Sequence, residues 1–111
     1  MTAFHITTDL ADSGRVVAVH GELDLATAPE LRTALDGALA AGGDCMLSLG
    51  GCQFIDSSGT REILIAAERF RAAGAQLTLH CPTDNTRVRF VIDLLGLGDV
   101  MTVIPGGSSN A

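Results

Sequence analysis

Three observations in the 111-residue chain predict a single α/β domain whose mixed sheet is mostly parallel, with one antiparallel N-terminal strand and amphipathic helices. Short runs rich in Val, Ile, Leu and Thr alternate with segments of helical spacing, the order of a βαβ protein. The runs at 4–8 and 15–20 flank the turn signal Asp12-Ser13-Gly14 with no helix between them, so they pair as a hairpin. Each later connection is long enough to carry a helix, which implies parallel strands with right-handed crossovers.

After the hairpin, Thr27-Ala-Pro-Glu30 reads as a capping box with Pro in the first turn. Leu31, Ala34, Leu35, Ala38 and Leu39 then share one helical face, and Gly42-Gly43 ends the helix. A third strand is expected at 45–49. A second helix places Ile63, Ala66, Ala67 and Phe70 inward and stops at Gly74. The fourth strand falls at 76–80. Pro82-Thr83 leads into a third helix with Val88, Val91, Ile92 and Leu95 on its buried side, and Gly96 stops it. A short strand at 100–103 closes the sheet. These elements make residues 1–104 one domain, and the composition of PGGSSNA makes 105–111 a flexible tail. Strand order is not readable at this level.

Composition removes several functions. Hydrophobic residues are 47% and charged residues 18%, which fits one aliphatic core and excludes a disordered chain. A formal net charge of -6 repels a phosphate backbone, and the absence of Trp and Tyr leaves no stacking platform, so nucleic acid is not an expected partner. The three cysteines, Cys45, Cys52 and Cys81, form no CxxC and have no ligand spacing to the three histidines; reduced, mostly buried thiols are expected, and neither a metal nor another cofactor. No basic leader precedes an apolar run, and the longest uninterrupted apolar stretch, 63–67, is too short to span a bilayer. The expectation is a cytoplasmic protein with no membrane partner.

In open parallel sheets the functional residues gather where strands end and helices begin. GELDLAT at 21–27 and FIDSSG at 54–59 occupy such ends. Four readings of Asp56-Ser57-Ser58-Gly59 compete. Asp56 or a serine caps the second helix while Gly59 relieves crowding, which accounts for one hydroxyl and leaves the other idle. A nucleophile elbow fails, because Ile55 and Asp56 stand where it needs the first glycine. A phosphoacceptor Asp56 lacks the paired acids of such a site. The fourth reading is a regulatory phosphoserine, since free N–H groups and the positive dipole end at a helix start accommodate a phosphate. Asp24 and Asp56 nearby would then make the modified surface strongly anionic.

The chain closely resembles the STAS-domain family of anti-sigma-factor antagonists, over about residues 4 to 103. GELDLATAPEL at 21–31, the FIDSSG corner, AGAQLTL at 73–79 and RFVIDLLGLGDV at 89–100 carry the likeness. The resemblance implies a STAS-like domain that is not an enzyme. It implies that Ser57, the first serine after the aspartate, is phosphorylated by a partner anti-sigma factor, itself a serine kinase. The unmodified form then binds that partner and releases the sigma factor; the phosphorylated form is inactive until a serine phosphatase restores it. Asp24 matches the acid of the family's GELD motif, which assists kinase recognition. Its alternative role is to stabilise the loop before the first helix. Thr27, Asp56, Ser58, Gly59, Arg61 and Ile65 complete the expected partner surface, with Ile65 turned outward among Arg61, Glu68 and Arg69. The family continues DSSG with Leu-Gly and an aliphatic residue, whereas this chain has Thr60-Arg61-Glu62, which sets a long cation beside any phosphate. The alternative function is a non-switching STAS subunit of a larger assembly, such as a stress-signalling complex or a lipid transporter.

Overall fold

The computed structural model describes residues 3–11 and 14–106. Strand β1 (His5–Ala11) and strand β2 (Gly14–Leu23) pair antiparallel, with His5 opposite His20 and Ala11 opposite Gly14. There follow helix α1 (Ala28–Ala41), strand β3 (Cys45–Ile55), helix α2 (Ser57–Ala72), strand β4 (Leu77–His80), helix α3 (Thr86–Leu94), a 3-10 turn at Leu97–Asp99 and strand β5 (Val103–Ile104). Strand order is β1-β2-β3-β4-β5, and all pairs after the first are parallel. The α/β architecture with one antiparallel N-terminal strand is therefore as expected.

That order has a consequence for the layers. Each helix links two neighbouring parallel strands, and each step advances across the sheet in the same direction. Right-handed crossovers then put all three helices on one side. Val17 and Val19 of β2, Leu47 and Leu49 of β3, and Leu77 and Leu79 of β4 face the helices and are buried. They meet Leu31 and Leu35 of α1, Ile63 and Phe70 of α2, and Val88 and Ile92 of α3 in one core. Each such side chain contributes about 1.5–3 kcal/mol of transfer free energy. The alternate residues, among them Val16, Ala18, Met46, Ser48 and Thr78, form the opposite, uncovered face and are only half-buried.

Several boundaries differ from the sequence reading. β2 runs on to Leu23 and so draws the first three residues of GELD into the sheet, while β3 continues through Gly50-Gly51 to Ile55. Register shifts between β2 and β3 around Ala18/His20 and Gly21/Glu22 absorb the extra β3 residues as bulges. Thr27 is the N-cap of α1 but makes no capping bond, because its hydroxyl is engaged in the preceding loop. Leu95 is 45% exposed instead of buried, since α3 ends at Leu94 and Gly96 turns the chain away at φ +72°. The expected strand at 100–103 begins only at Val103; the 3-10 turn takes up the residues before it. Asp12, Ser13 and residues 107–111, most of the expected tail, lie outside the described residues.

Candidate functional site

Two loops at the carboxyl ends of β2 and β3 come together because the strands are neighbours. The Asp56 amide donates to the Leu23 carbonyl at 3.2 Å, so Asp24 and Ser57 each follow directly from one bonded pair of residues. Gly59 makes the approach possible. A Cβ there would sit 2.6 Å from Leu23 Cγ and 3.1 Å from its carbonyl oxygen, which real side chains do not tolerate.

Asp24 organises its own loop. Its Oδ1 accepts from the Ala26 amide at 3.0 Å, the Thr27 amide at 3.1 Å and the Thr27 hydroxyl at 3.2 Å. Thr27 Oγ1 in turn accepts from the Asp24 amide and donates to the Glu22 carbonyl, both at 2.9 Å. This reciprocal Asx-type turn is what occupies the threonine that the sequence assigned to a capping box. Leu25, at the tip of the turn, is left 76% exposed.

At the second loop the cap is Asp56, whose Oδ1 accepts from the Gly59 amide at 3.0 Å, and Thr60 Oγ1 donates back to the Asp56 carbonyl at 2.9 Å. Ser57 is exposed and Ser58 half-buried, and neither hydroxyl has a hydrogen-bond partner among the described residues. The first helical residues, Ser57 and Ser58, therefore present unused amides and hydroxyls at the positive end of a 16-residue helix. Of the residues that could cap α2, the acid does so, and both serine hydroxyls are spare.

Arg61 and Ile65 lie one turn apart on α2; Arg61 is exposed and Ile65 is 43% exposed. With Leu25, Pro29, Arg32 and Ser58 they border a cleft of about 290 Å³ between the starts of α1 and α2. Glu62 was not among the expected site residues, yet it is buried beneath this cleft and accepts from Arg32 Nε at 3.1 Å and Nη2 at 2.5 Å. That hydrogen bond holds the Glu62 carboxyl below the usual carboxylate range, against the opposing effect of desolvation. The pair fixes α1 to α2 and so sets the width of the cleft. A glutamate beside an exposed-looking Arg61 gave no sign in sequence of facing another helix. On the other flank of the corner, Phe54 and Phe90, 45% and 66% exposed, border an apolar groove of about 520 Å³ with Ile55, Thr86 and Val91.

The cysteines are all buried and free. Burial pushes the Cys52 thiol up to about 11, which leaves it protonated and unreactive at neutral pH. Among the described residues no helix is long and apolar enough to cross a membrane.

Fold and loop geometry together define a small α/β module of STAS type. The chain belongs to the STAS-domain family: the family model described as "Mlab, STAS domain" matches residues 6–105. Its fold is shared with an anti-sigma factor antagonist from Mycobacterium paratuberculosis, at TM-score 0.83 and 24% identity over 94% of this chain and 87% of that one. The anti-sigma factor antagonist SpoIIAA in its unphosphorylated form has TM-score 0.68 and 19% identity over 95% and 90%. Bacillus SpoIIAA in its phosphorylated form has TM-score 0.65 and 24% identity over 91% and 90%. No curated protein sequence matches the chain.

Proposed function

We propose that the protein is an anti-sigma-factor antagonist that works as a phosphorylation-controlled docking module, without catalysis of its own. The observation that carries this reading is the joined pair of loops, which sets the exposed Ser57 hydroxyl at the start of α2 beside the ordered Asp24 turn. The unmodified protein docks on an anti-sigma factor that is a serine kinase, through Asp24, Thr27, Asp56, Ser58, Gly59, Arg61 and Ile65, and frees the sigma factor. The kinase transfers phosphate to Ser57, and a serine phosphatase reverses the step.

Energy favours a switch that acts on binding and spares the fold. A phosphate on Ser57 would meet the free amides and dipole of α2, which offsets its cost to the domain. A docked partner would have to desolvate about two negative charges beside Asp24 and Asp56, and unpaired or like charges at an interface cost several kcal/mol. Affinity should fall at least tenfold. Arg61, one turn along the helix, compensates only in the free protein, where water also reaches the phosphate.

The deciding experiment mixes the protein with a purified kinase-type anti-sigma factor and ATP, maps the phosphate by mass spectrometry, and measures affinity in ADP. Ser57→Ala should bind and never accept phosphate, whereas Ser57→Asp should lose part of the affinity. Phosphate on Ser58, or equal affinities for Ser57→Ala and phosphorylated protein, would sink the proposal.

A second reading, favoured by the family model being described as the Mlab STAS domain, keeps the docking surface without the switch. The protein would then be a constant subunit of a larger assembly, and wild type and Ser57→Ala would behave identically in cells.

A further inference from the structure

All three histidines of the chain stand on the uncovered face of the sheet, and they differ in what holds them. His80 is fully engaged: Nδ1 lies 2.9 Å from Ser48 Oγ and Nε2 lies 2.5 Å from the Gly106 carbonyl oxygen. His5 and His20 face each other directly across β1 and β2, their rings stacked with centroids 4.4 Å apart and planes 7° from parallel. Among the described residues, no ring nitrogen of either has a hydrogen-bond partner. Two adjacent imidazoles with unused lone pairs, open to solvent on one side, are a ligand pair in waiting.

We propose that His5 and His20 form a cross-strand binding site for a divalent transition-metal cation of the Zn²⁺, Ni²⁺ or Cu²⁺ class. Neutral imidazole nitrogen is the donor these ions take most readily. Side chains directly opposite in an antiparallel pair have Cβ atoms about 4.5–5.5 Å apart. One nitrogen from each ring can then reach a common ion at about 2.0–2.1 Å. The parallel rings aim their lone pairs side by side, so binding requires each to turn about χ2, a broad and soft torsion.

Two neighbours support the site. Gly51, opposite His20 on β3, leaves the space in which that ring lies; a Cβ there would overlap Nδ1 of the imidazole. Glu22, exposed and two residues further along the same face of β2, adds negative charge to a chain whose formal net charge is -6. The described residues hold no cluster of three or more ligating side chains, so water completes the coordination sphere. The ion would tie the edge strand β1 to β2 and stabilise the folded form by linkage. The hairpin expected from the sequence carries both residues, and its register, with Ala11 opposite Gly14, sets His5 against His20.

The test is a titration of the purified protein with ZnCl₂, and separately NiCl₂, followed by NMR of the imidazole resonances. The expected result is saturable binding of one ion per chain that moves the His5 and His20 signals, leaves His80 in place, and raises the melting temperature. His5→Gln, at an exposed edge-strand position, should keep the melting temperature of the metal-free protein and lower affinity at least tenfold; His20→Gln should lower it likewise. No saturable binding up to about 1 mM, the weak end of specific association, would overturn the site. So would shifts at His80 alone, or unchanged affinity in both variants. The wild-type spectra decide the matter even if a variant folds poorly.

Discussion

The Asp56 amide hydrogen-bonds the Leu23 carbonyl at 3.2 Å, and this one backbone link joins the two loops on which the proposed switch depends. Around it the structural roles separate cleanly from the spare chemistry, and each role has a measurable cost.

Asp24 is first of all a loop organiser. Asp24→Ala removes an acceptor used by three donors and should cost about 1–2 kcal/mol, as loss of a helix cap does. Asp24→Asn keeps an oxygen in the same place and should stay within about 0.5 kcal/mol of wild type. Urea denaturation of the two variants checks this, and equal losses would show that charge, not the acceptor, holds the loop. Kinase recognition by the Asn variant then isolates the effect of charge alone.

The cap of α2 belongs to the acid. Asp56→Ala should lower stability by about 1 kcal/mol, whereas Ser57→Ala and Ser58→Ala, whose hydroxyls bond nothing in the described residues, should each stay within about 0.5 kcal/mol. Thermal melts of the three variants side by side settle the ranking. A larger loss in Ser58→Ala than in Asp56→Ala would reverse the assignment.

Close approach at Gly59 leaves no room for a methyl group. Gly59→Ala should destabilise by about 1–3 kcal/mol through overpacking against Leu23, although alanine is the better helix former. The measurement is again chemical denaturation; a stabilised variant would mean that the two loops can part without cost.

Acid should loosen the helix pair. Because the Arg32 guanidinium lowers the Glu62 pKa in the folded state, the pair's contribution is complete above the unfolded carboxylate value and is lost as pH falls through the folded one. Glu62→Gln should therefore cost about 1 kcal/mol at neutral pH, limited by the partial exposure of Arg32, and the difference from wild type should shrink as the medium is acidified below pH 4.5. Stability curves for both proteins between neutral and acid pH test the sign; a gap that widens in acid would refute it.

Much of the molecule was legible before any coordinates. Apolar spacing located all three helices and put Leu31, Leu35, Ile63, Phe70, Val88 and Ile92 inward, where they are found. Turn and cap residues mark the Asp56 corner, and helical spacing turns Ile65 outward, as it is found. Element ends were read less well. Thr27-Ala-Pro-Glu30 has the composition of a capping box, but the same threonine can satisfy the Asp24 turn, and composition does not rank the two uses. The third strand is expected to end at Leu49, before Gly50-Gly51, yet pairing with β2 alone carries β3 through the two glycines to Ile55.

The sequence by itself determined the kinds of elements, the face each one buries and the corner that carries the serines, because these follow from periods of two and 3.6 residues and from local backbone chemistry. Only the tertiary structure decided that β2 lies beside β3, so that Leu23 meets Asp56, and that α1 packs on α2, so that Arg32 finds Glu62. Those pairings rest on strand order, register and the hand of the crossovers. They join residues far apart in the chain, and no short-range pattern in the sequence records which distant partner a residue will face.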